Sequence, residues 1–348
     1  MQIALIQLNN TLFPTLTVAI PALNEEKYIK SVIDSFRLNN YSNIVEIIVA
    51  DGGSSDKTVR IVEEISKEDS RVKLIHNPER FQSFALNHML AVAKGELFLR
   101  ADAHAIYSED YVETSIEALI ESKSLNAGGA QRYIAETVFE YAVKLSTQSN
   151  FGSGGAQYKN NTYSGYADTV FLGCYYTKIL KKIGGFATDV GVNEDFEMNY
   201  RLSLLQENAV YISSNIKVHY KPRNNFKSLI KQYYRYGISK CLFYKKHHIL
   251  SFRQVLPITI STILILILAL LPVFASSILT ELSILAFGLF SILFLYLLIE
   301  NNSVNPELPK TSIPFYFTPI LSILIIITIN IAFSAGFISA FLGKKKLN

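Results

Sequence analysis

The sequence predicts an α/β protein, with a mostly parallel sheet and flanking helices, followed by C-terminal transmembrane helices. Three observations carry that reading. Short apolar runs alternate with segments of helical periodicity through residues 16–93. Long uncharged runs occur only toward the C-terminus. Between Glu207 and Glu281 there is no acidic residue, while ten Lys and Arg side chains from Lys217 to Arg253 precede the first apolar run.

The strands come first. Leu16 to Ile20, Val45 to Ala50, Val72 to Ile75 and Leu97 to Leu99 are short apolar runs suited to buried parallel strands. Between them, Glu25 to Leu38, Asp56 to Ser66 and Ser83 to Ala93 place apolar side chains at helical spacing, as with Val59, Ile61, Val62 and Ile65. Strand–helix alternation of this kind builds a parallel sheet with right-handed crossovers, and ligands collect at the carboxyl ends of its strands. After Asp110 the pattern loosens. Helices are predicted over Tyr111 to Ser122 and Glu136 to Thr147, around a Gly128-Gly129-Ala130-Gln131-Arg132 run. Ser149 to Asp168 is rich in Gly, Asn, Ser and Tyr and reads either as a loop that closes over a substrate or as ordinary surface. There is no internal repeat.

The 348 residues, without Trp, have room for one sizeable soluble domain and a smaller membrane part. We expect a domain at 1–225, a basic juxtamembrane or interfacial helix at 226–254, and a membrane anchor at 255–348 with apolar segments near 256–275, 278–299 and 313–342. The first of these is about the length that crosses roughly 30 Å of hydrocarbon. The start, Met1 to Asn10, lacks the basic opening and long apolar core of a signal peptide. A cytoplasmic soluble domain on a multi-pass cell-membrane anchor is therefore expected, and two cysteines, Cys174 and Cys241, agree with a reducing compartment. Three crossings would leave Lys344-Lys345-Lys346 outside, against the positive-inside tendency, unless one run is re-entrant or interfacial. The basic segment suits anionic lipid headgroups or a solvated helix face. No nucleic-acid partner is expected.

Three segments carry candidate chemistry. Asp51 ends a strand and precedes Gly52-Gly53-Ser54-Ser55-Asp56, where a carboxylate can take the N–H groups of a nucleobase or hold a ribose; the alternative is a strand-to-helix turn capped by Ser54 or Asp56, with no ligand. In Arg100-Ala101-Asp102-Ala103-His104 the alternate side chains share one side of a strand end, so Asp102 and His104 can share a divalent cation beside a diphosphate, Mn²⁺ or Mg²⁺. The alternative is structural: Arg100 pairs with Asp102 or Asp110, and His104 caps the next helix. Glu194 and Asp195 open a helix after Gly184-Gly185-Phe186, either as a general base for a sugar hydroxyl or as capping carboxylates.

In this order these pieces resemble glycosyltransferase family 2, inverting nucleotide-sugar transferases of the GT-A fold, over about Leu16 to Gly237. Val18 to Glu26, with Pro21, Ala22, Asn24 and Glu25, looks like that family's opening strand and nucleotide loop. Ile47 to Thr58 is similar to its second strand with the base-binding Asp51, Asp102-Ala103-His104 stands where an Asp-x-Asp is usual, and Glu194-Asp195 stands at the catalytic acidic pair. Asn77-Pro78-Glu79-Arg80, Gln82-Ser83, Ala85-Leu86-Asn87, the Arg100–His104 run and Gln232-Tyr233-Tyr234-Arg235-Tyr236-Gly237 resemble the succinoglycan and exopolysaccharide branch.

The resemblance implies a hexosyltransferase with Asp195 as base beside Glu194. It implies donor contacts from Arg80, Arg100, Asp102, Gln232 and Arg235, and a cation on Asp102 and His104, with His219 either a third metal ligand or a structural histidine. The acceptor implied is a lipid-linked glycan, with membrane lipids and other polysaccharide-assembly proteins as further partners. Two departures matter: His104 replaces the second metal Asp, and Tyr236 stands at the Trp position of the processive synthases' Gln-x-x-Arg-Trp, which disfavours polymerisation. Sugar transfer to a polyprenyl monophosphate and a non-catalytic nucleotide-sugar-binding subunit of an export complex are the rival readings.

Overall fold

The computed structural model describes residues 13–250, 255, 257–259, 295–297 and 317–343. Two compact units form: Met1–Arg132 with Asn160–Tyr220, and Tyr133–Lys159 with Lys221–Asn348.

In the first unit the alternating pattern folds as its periodicity requires. Strands β1 (Leu16–Ala22), β2 (Ile44–Asp51), β3 (Val72–His76) and β4 (Leu97–Arg100) are joined through helices α1 (Ile29–Arg37), α2 (Thr58–Glu68) and α3 (Gln82–Val92). β1 pairs parallel with both β2 and β4, and β2 with β3. Val18 to Ile20 and Ile47 to Ala50 have no exposed surface, because a parallel sheet is covered on both faces. α1 buries Ile29, Val32, Ile33 and Phe36, an i, i+3, i+4, i+7 stripe. Within this core Glu46 is wholly covered. Its carboxylate accepts from Thr17 Oγ1 at 2.8 Å, Lys73 Nζ at 2.6 Å and the Lys94 N–H at 2.6 Å. Burial works to raise its pKa, and those three donors together lower it below the ordinary value.

The remaining strands are β5 (Ile106–Tyr107), β6 (Asn126–Tyr133), β7 (Gly165–Tyr166), β8 (Phe171–Tyr176) and β9 (Val210–Tyr220). The nine-stranded sheet runs β3-β2-β1-β4-β8-β6-β9-β5, with β7 on β9. Here the expectation of a mostly parallel sheet is corrected to a mixed one. β8 runs antiparallel to β4 and β6, and β5 and β7 antiparallel to β9. A parallel neighbour needs a crossover laid over the sheet. The segment that would supply it between β6 and β8, Tyr133–Lys159, belongs to the second unit, and the chain re-enters reversed. Gly128 and Gly129 lie inside β6, where a Cβ would meet the Leu172 and Ile216 carbonyl oxygens, so their run is a tightly flanked strand. Helices α4 (Tyr111–Glu121), α7 (Thr177–Lys182) and α8 (Glu194–Ser203) complete this unit.

The second unit contains α5 (Val138–Gln148), α6 (Asn150–Ser153), a 3₁₀ turn at Gln157–Lys159, α9 (Phe226–His247) and α10 (Phe317–Phe341). α5 opens on a complete capping box between Thr137 and Glu140. α9 covers 226–247 of the stretch read as a basic helix at 226–254, and it packs on α10 where Gly237 faces the Phe333 carbonyl and Gly336 the Tyr234 carbonyl. Lys245 Nζ donates to the Ala340 carbonyl at 2.7 Å, satisfying the last turn of α10. Thr318–Phe341 is uncharged, has a mean hydropathy of 2.3 over its best window and, at 24 residues, is long enough to cross a membrane; it is the one such helix among the described residues. The expected segments at 256–275 and 278–299 lie outside the described residues, apart from 257–259 and 295–297.

Candidate active site

The carboxyl ends of β1, β2 and β4 open onto a cleft of about 200 Å³ lined by Pro21, Ala22, Glu25, Asn77, Arg80, Gln82, Asp102 and His104, among others. It forms where strand-end ligand sites are expected in open α/β sheets.

Two interlocked turns adjoin it, of which Leu23, Glu25 and Gly52 line the cleft. Asp51 is buried, and its Oδ2 accepts from the Gly53 N–H at 2.9 Å and the Ser54 N–H at 3.0 Å. Its Oδ1 makes a long 3.4 Å contact with the Ser54 N–H. Asn24, at φ 56°, reaches across: its N–H donates to Ser54 Oγ at 2.8 Å and its Oδ1 accepts from the Ser55 N–H at 2.8 Å. The Glu25 N–H donates to Thr58 Oγ1 at 2.7 Å. Asn24 therefore ties the first two strand-end loops together. Arg80 also holds a left-handed backbone, φ 64°, and its guanidinium lies over Gly53, where it faces the cleft.

On the other side, Asp102 leaves β4 with its carbonyl fixed by the Tyr107 hydroxyl at 2.9 Å. Tyr107 is wedged between Phe36 and Tyr111, with ring centroids 4.8 Å away on each side, so an aromatic core sets the position of the Asp102–His104 segment. His104 Nδ1 is 2.9 Å from Glu25 Oε1. A Glu25–His104 hydrogen bond fixes the ring as carboxylate partners do for metal-binding imidazoles. Asp102 and His104, a carboxylate and an imidazole on one cleft wall, form a donor set that fits a divalent cation, Mn²⁺ better than Mg²⁺. Among the described residues no three His, Cys, Asp or Glu side chains gather closely enough to hold a metal alone, and His219 sits opposite Ile106 in the β5–β9 ladder instead of joining the pair. A cation here would need phosphate or water oxygens to complete its shell.

Arg100 connects this wall to α8. Its side chain is 9% exposed, with Nη2 3.7 Å from Asp102 Oδ1 and Nη1 3.2 Å from Glu194 Oε1 and 3.7 Å from Asp195 Oδ2. Burial works against its charge, and the three carboxylates overcome it and raise the pKa further. Glu194 is covered, both of its oxygens lack a hydrogen-bond partner, and burial pushes its pKa up to about 7 despite Arg100. Asp195 keeps 32% of its side chain exposed. α8 is held in place from two directions. Asn87 of α3 clasps Phe186 through 2.8 Å bonds to its N–H and its carbonyl, and Arg201 donates to the carbonyls of Ile183 and Gly185.

Of the residues singled out from sequence, the first unit thus brings together Pro21, Ala22, Glu25, Asp51, Arg80, Arg100, Asp102, His104, Glu194 and Asp195, with Asn24 as a brace. Gln232 and Arg235 belong to the second unit, on α9, where Gln232 Nε2 donates to the Tyr236 hydroxyl at 3.0 Å and Arg235 is exposed. Sequence reasoning assigned no role to Asn77, Gln82, Asn87 or Tyr107. The first three lie within motifs it had quoted, whereas Tyr107 carried no signal beyond its ring.

The profile described as Glycosyl transferase family 2 matches residues 17–181. A dolichyl N-acetyl-alpha-D-glucosaminyl phosphate 3-beta-D-2,3-diacetamido-2,3-dideoxy-beta-D-glucuronosyltransferase of Methanococcus voltae is 31% identical over 241 residues, 66% of this chain and 74% of that protein. The chain belongs to glycosyltransferase family 2. The succinoglycan biosynthesis protein ExoA of Rhizobium meliloti is a further relative in sequence, 28% identical over 249 residues, 71% of this chain and 75% of its own. Among solved structures, a mannosyltransferase from Pyrobaculum calidifontis, in complex with GDP-Man and Mn²⁺, superposes with a TM-score of 0.60 at 17% identity, covering 96% of this chain and 89% of its own. That likeness establishes the GT-A fold for this family 2 chain.

Proposed function

We propose that the protein is a membrane-anchored, inverting hexosyltransferase that moves a sugar from a nucleoside-diphosphate sugar to a lipid-linked glycan during synthesis of an exopolysaccharide or envelope polymer. The observation that carries this reading is the junction at Arg100: a cleft suited to a nucleoside diphosphate on one side and an acidic helix start on the other, joined by one buried guanidinium.

The donor lies with its nucleoside over Asp51 and its diphosphate toward Arg80 and Asp102. Asp102 and His104 would hold a divalent cation, which would supply positive charge against the departing diphosphate. Asp195, partly open to solvent, accepts the proton of the acceptor hydroxyl as its oxygen bonds to the anomeric carbon. The anomeric carbon–phosphate oxygen bond breaks with its electron pair leaving on the nucleoside diphosphate. Attack opposite the leaving group turns an α-linked donor into a β-glycoside. The Methanococcus relative's name, with its dolichyl N-acetyl-alpha-D-glucosaminyl phosphate acceptor and 3-beta transfer, supports both the lipid-linked acceptor and the inversion. ExoA's name supports the polysaccharide setting, and the Mn²⁺ and GDP-Man of the Pyrobaculum enzyme support a metal-assisted nucleotide-sugar donor.

α10, with the basic α9 packed on it, suits a multi-pass cell-membrane anchor with a cytoplasmic catalytic domain. Gln232 and Arg235 are assigned to the phosphates of donor or acceptor, and His219 to the metal site's surroundings.

The test is nucleoside diphosphate release from a panel of UDP-, GDP- and dTDP-sugars with Mn²⁺, Mg²⁺ or chelator, with lipid-linked and soluble acceptors. Metal-dependent release that requires a lipid-linked acceptor and is lost in Asp102→Ala and Asp195→Asn supports the reading. Equal rates on both acceptors would remove the lipid-linked substrate, and no release from any donor would remove the transferase.

A further inference from the structure

We propose that Arg100 is a positioning residue for the proton-accepting carboxylate of Asp195, and not a ligand of the donor's phosphates. This rests on the assignment of Asp195 as base.

A phosphate ligand needs a side chain that reaches the cleft, and Arg80 is among the residues that line it. Arg100 is 9% exposed and does not line that cleft; its charge faces Asp102, Glu194 and Asp195. Three carboxylates against one cation leave the cluster with excess negative charge, so Arg100 is what allows Asp195 and Glu194 to stand side by side at the start of α8. The Arg100–Asp195 separation of 3.7 Å is an electrostatic contact and not a hydrogen bond, so Arg100 Nη1, which has no hydrogen-bond partner, guides the carboxylate without occupying its lone pairs. Asp195 Oδ1 meanwhile accepts the Phe196 N–H at 2.7 Å, and Oδ2, the oxygen facing Arg100, remains available to an acceptor hydroxyl. Glu194, covered and beside the same Nη1, is the second anchor that keeps the guanidinium at the α8 end of the cluster. The charged and titratable groups around Asp195 are Arg100 at the end of β4, Asp102 just beyond it, Tyr175 of β8 and its own neighbour Glu194.

The test is donor turnover by the detergent-solubilised full chain as wild type, Arg100→Lys, Arg100→Met, Arg100→Met with Glu194→Gln, and Asp195→Asn, with kcat and donor KM measured across pH. The double variant removes both buried charges and so serves if Arg100→Met alone does not fold. We expect donor KM to stay within about twofold of wild type and kcat to fall by on the order of a hundredfold in Arg100→Met and the double variant, with part of it recovered in Arg100→Lys. A rise in donor KM of about tenfold with kcat kept would make Arg100 a phosphate ligand and overturn the proposal. Wild-type kcat in the double variant would do so as well, leaving Arg100 a counter-charge to Glu194 alone. Wild-type turnover by Asp195→Asn would remove the base assignment itself, an outcome separable from either of those.

Discussion

Replacing Glu194 by Gln is expected to stabilise the protein at alkaline pH, although it deletes one member of a buried ion pair. The side chain is 1% exposed, neither carboxylate oxygen has a hydrogen-bond partner, and Arg100, 3.2 Å away, divides its charge among three carboxylates. Burial therefore outweighs the attraction and lifts the carboxyl from its ordinary 4.5 to about 7. A raised carboxyl binds its proton more tightly in the folded chain than in the unfolded one. Its contribution to stability is fully present below the unfolded value of 4.5 and is lost as pH rises through about 7. At about 1.4 kcal/mol per pH unit, this window corresponds to a loss of about 3 kcal/mol relative to a side chain that does not titrate. The assay is urea unfolding of the detergent-solubilised chain at a series of pH values, followed by tyrosine fluorescence since the sequence has no Trp. The wild-type and Glu194→Gln proteins should be close in stability at acid pH, with the variant ahead by about 3 kcal/mol once pH exceeds 7. If the variant is instead less stable by about 3–5 kcal/mol at alkaline pH, the cost of breaking a buried pair, then Glu194 is ionised and firmly held, and the reasoning fails.

Glu46→Ala should cost about 3 kcal/mol in the same unfolding assay, because Thr17, Lys73 and the Lys94 N–H all lose their acceptor. Glu46 has a lowered pKa, so its contribution is present above its unfolded value and disappears as pH falls through the folded one, opposite in sign to Glu194; a wild-type acid limb that persists unchanged in the variant would contradict this. Asn87→Ala leaves the Phe186 N–H and carbonyl without partners and should reduce stability by about 2–4 kcal/mol; because that clasp sits just ahead of α8, kcat in the nucleoside diphosphate release assay should fall while donor KM holds. Gly237→Ala drives a Cβ into the Phe333 carbonyl and should lower the thermal midpoint of the solubilised protein through α9 and α10, while Gly184→Ala, where a Cβ meets no atom but φ is +84°, should show only a smaller backbone penalty.

Why some of this was legible in sequence and some was not follows from the range of the interactions. β1 to β4 and α1 to α3 are set by local periodicity, and each sits within a few residues of where the apolar runs place it, because strands buried on both faces and helices buried on one leave separate local signatures. β6 was not legible. Gly128 and Gly129 argue against a strand by propensity, and only the backbones of β8 and β9 pressing from either side make glycine the residue that fits. The reversal of β8 was hidden for a related reason, since its direction depends on a segment that leaves for the second unit and returns. The site divides along the same line. Asp51, Asp102 and His104 lie at strand ends and could be placed by counting, whereas the surroundings of Arg100 could not. Alternation put Arg100 on the same side as Asp102, which suggested phosphate; what faces its guanidinium is decided 94 residues later, by a helix start that Asn87 and Arg201 hold in place. A charge's role depends on its nearest opposite charge, and here that partner is remote in sequence. Residue type and spacing were therefore enough to locate the cleft, but the task of each ionised group within it emerged only once α8 had been placed against β4.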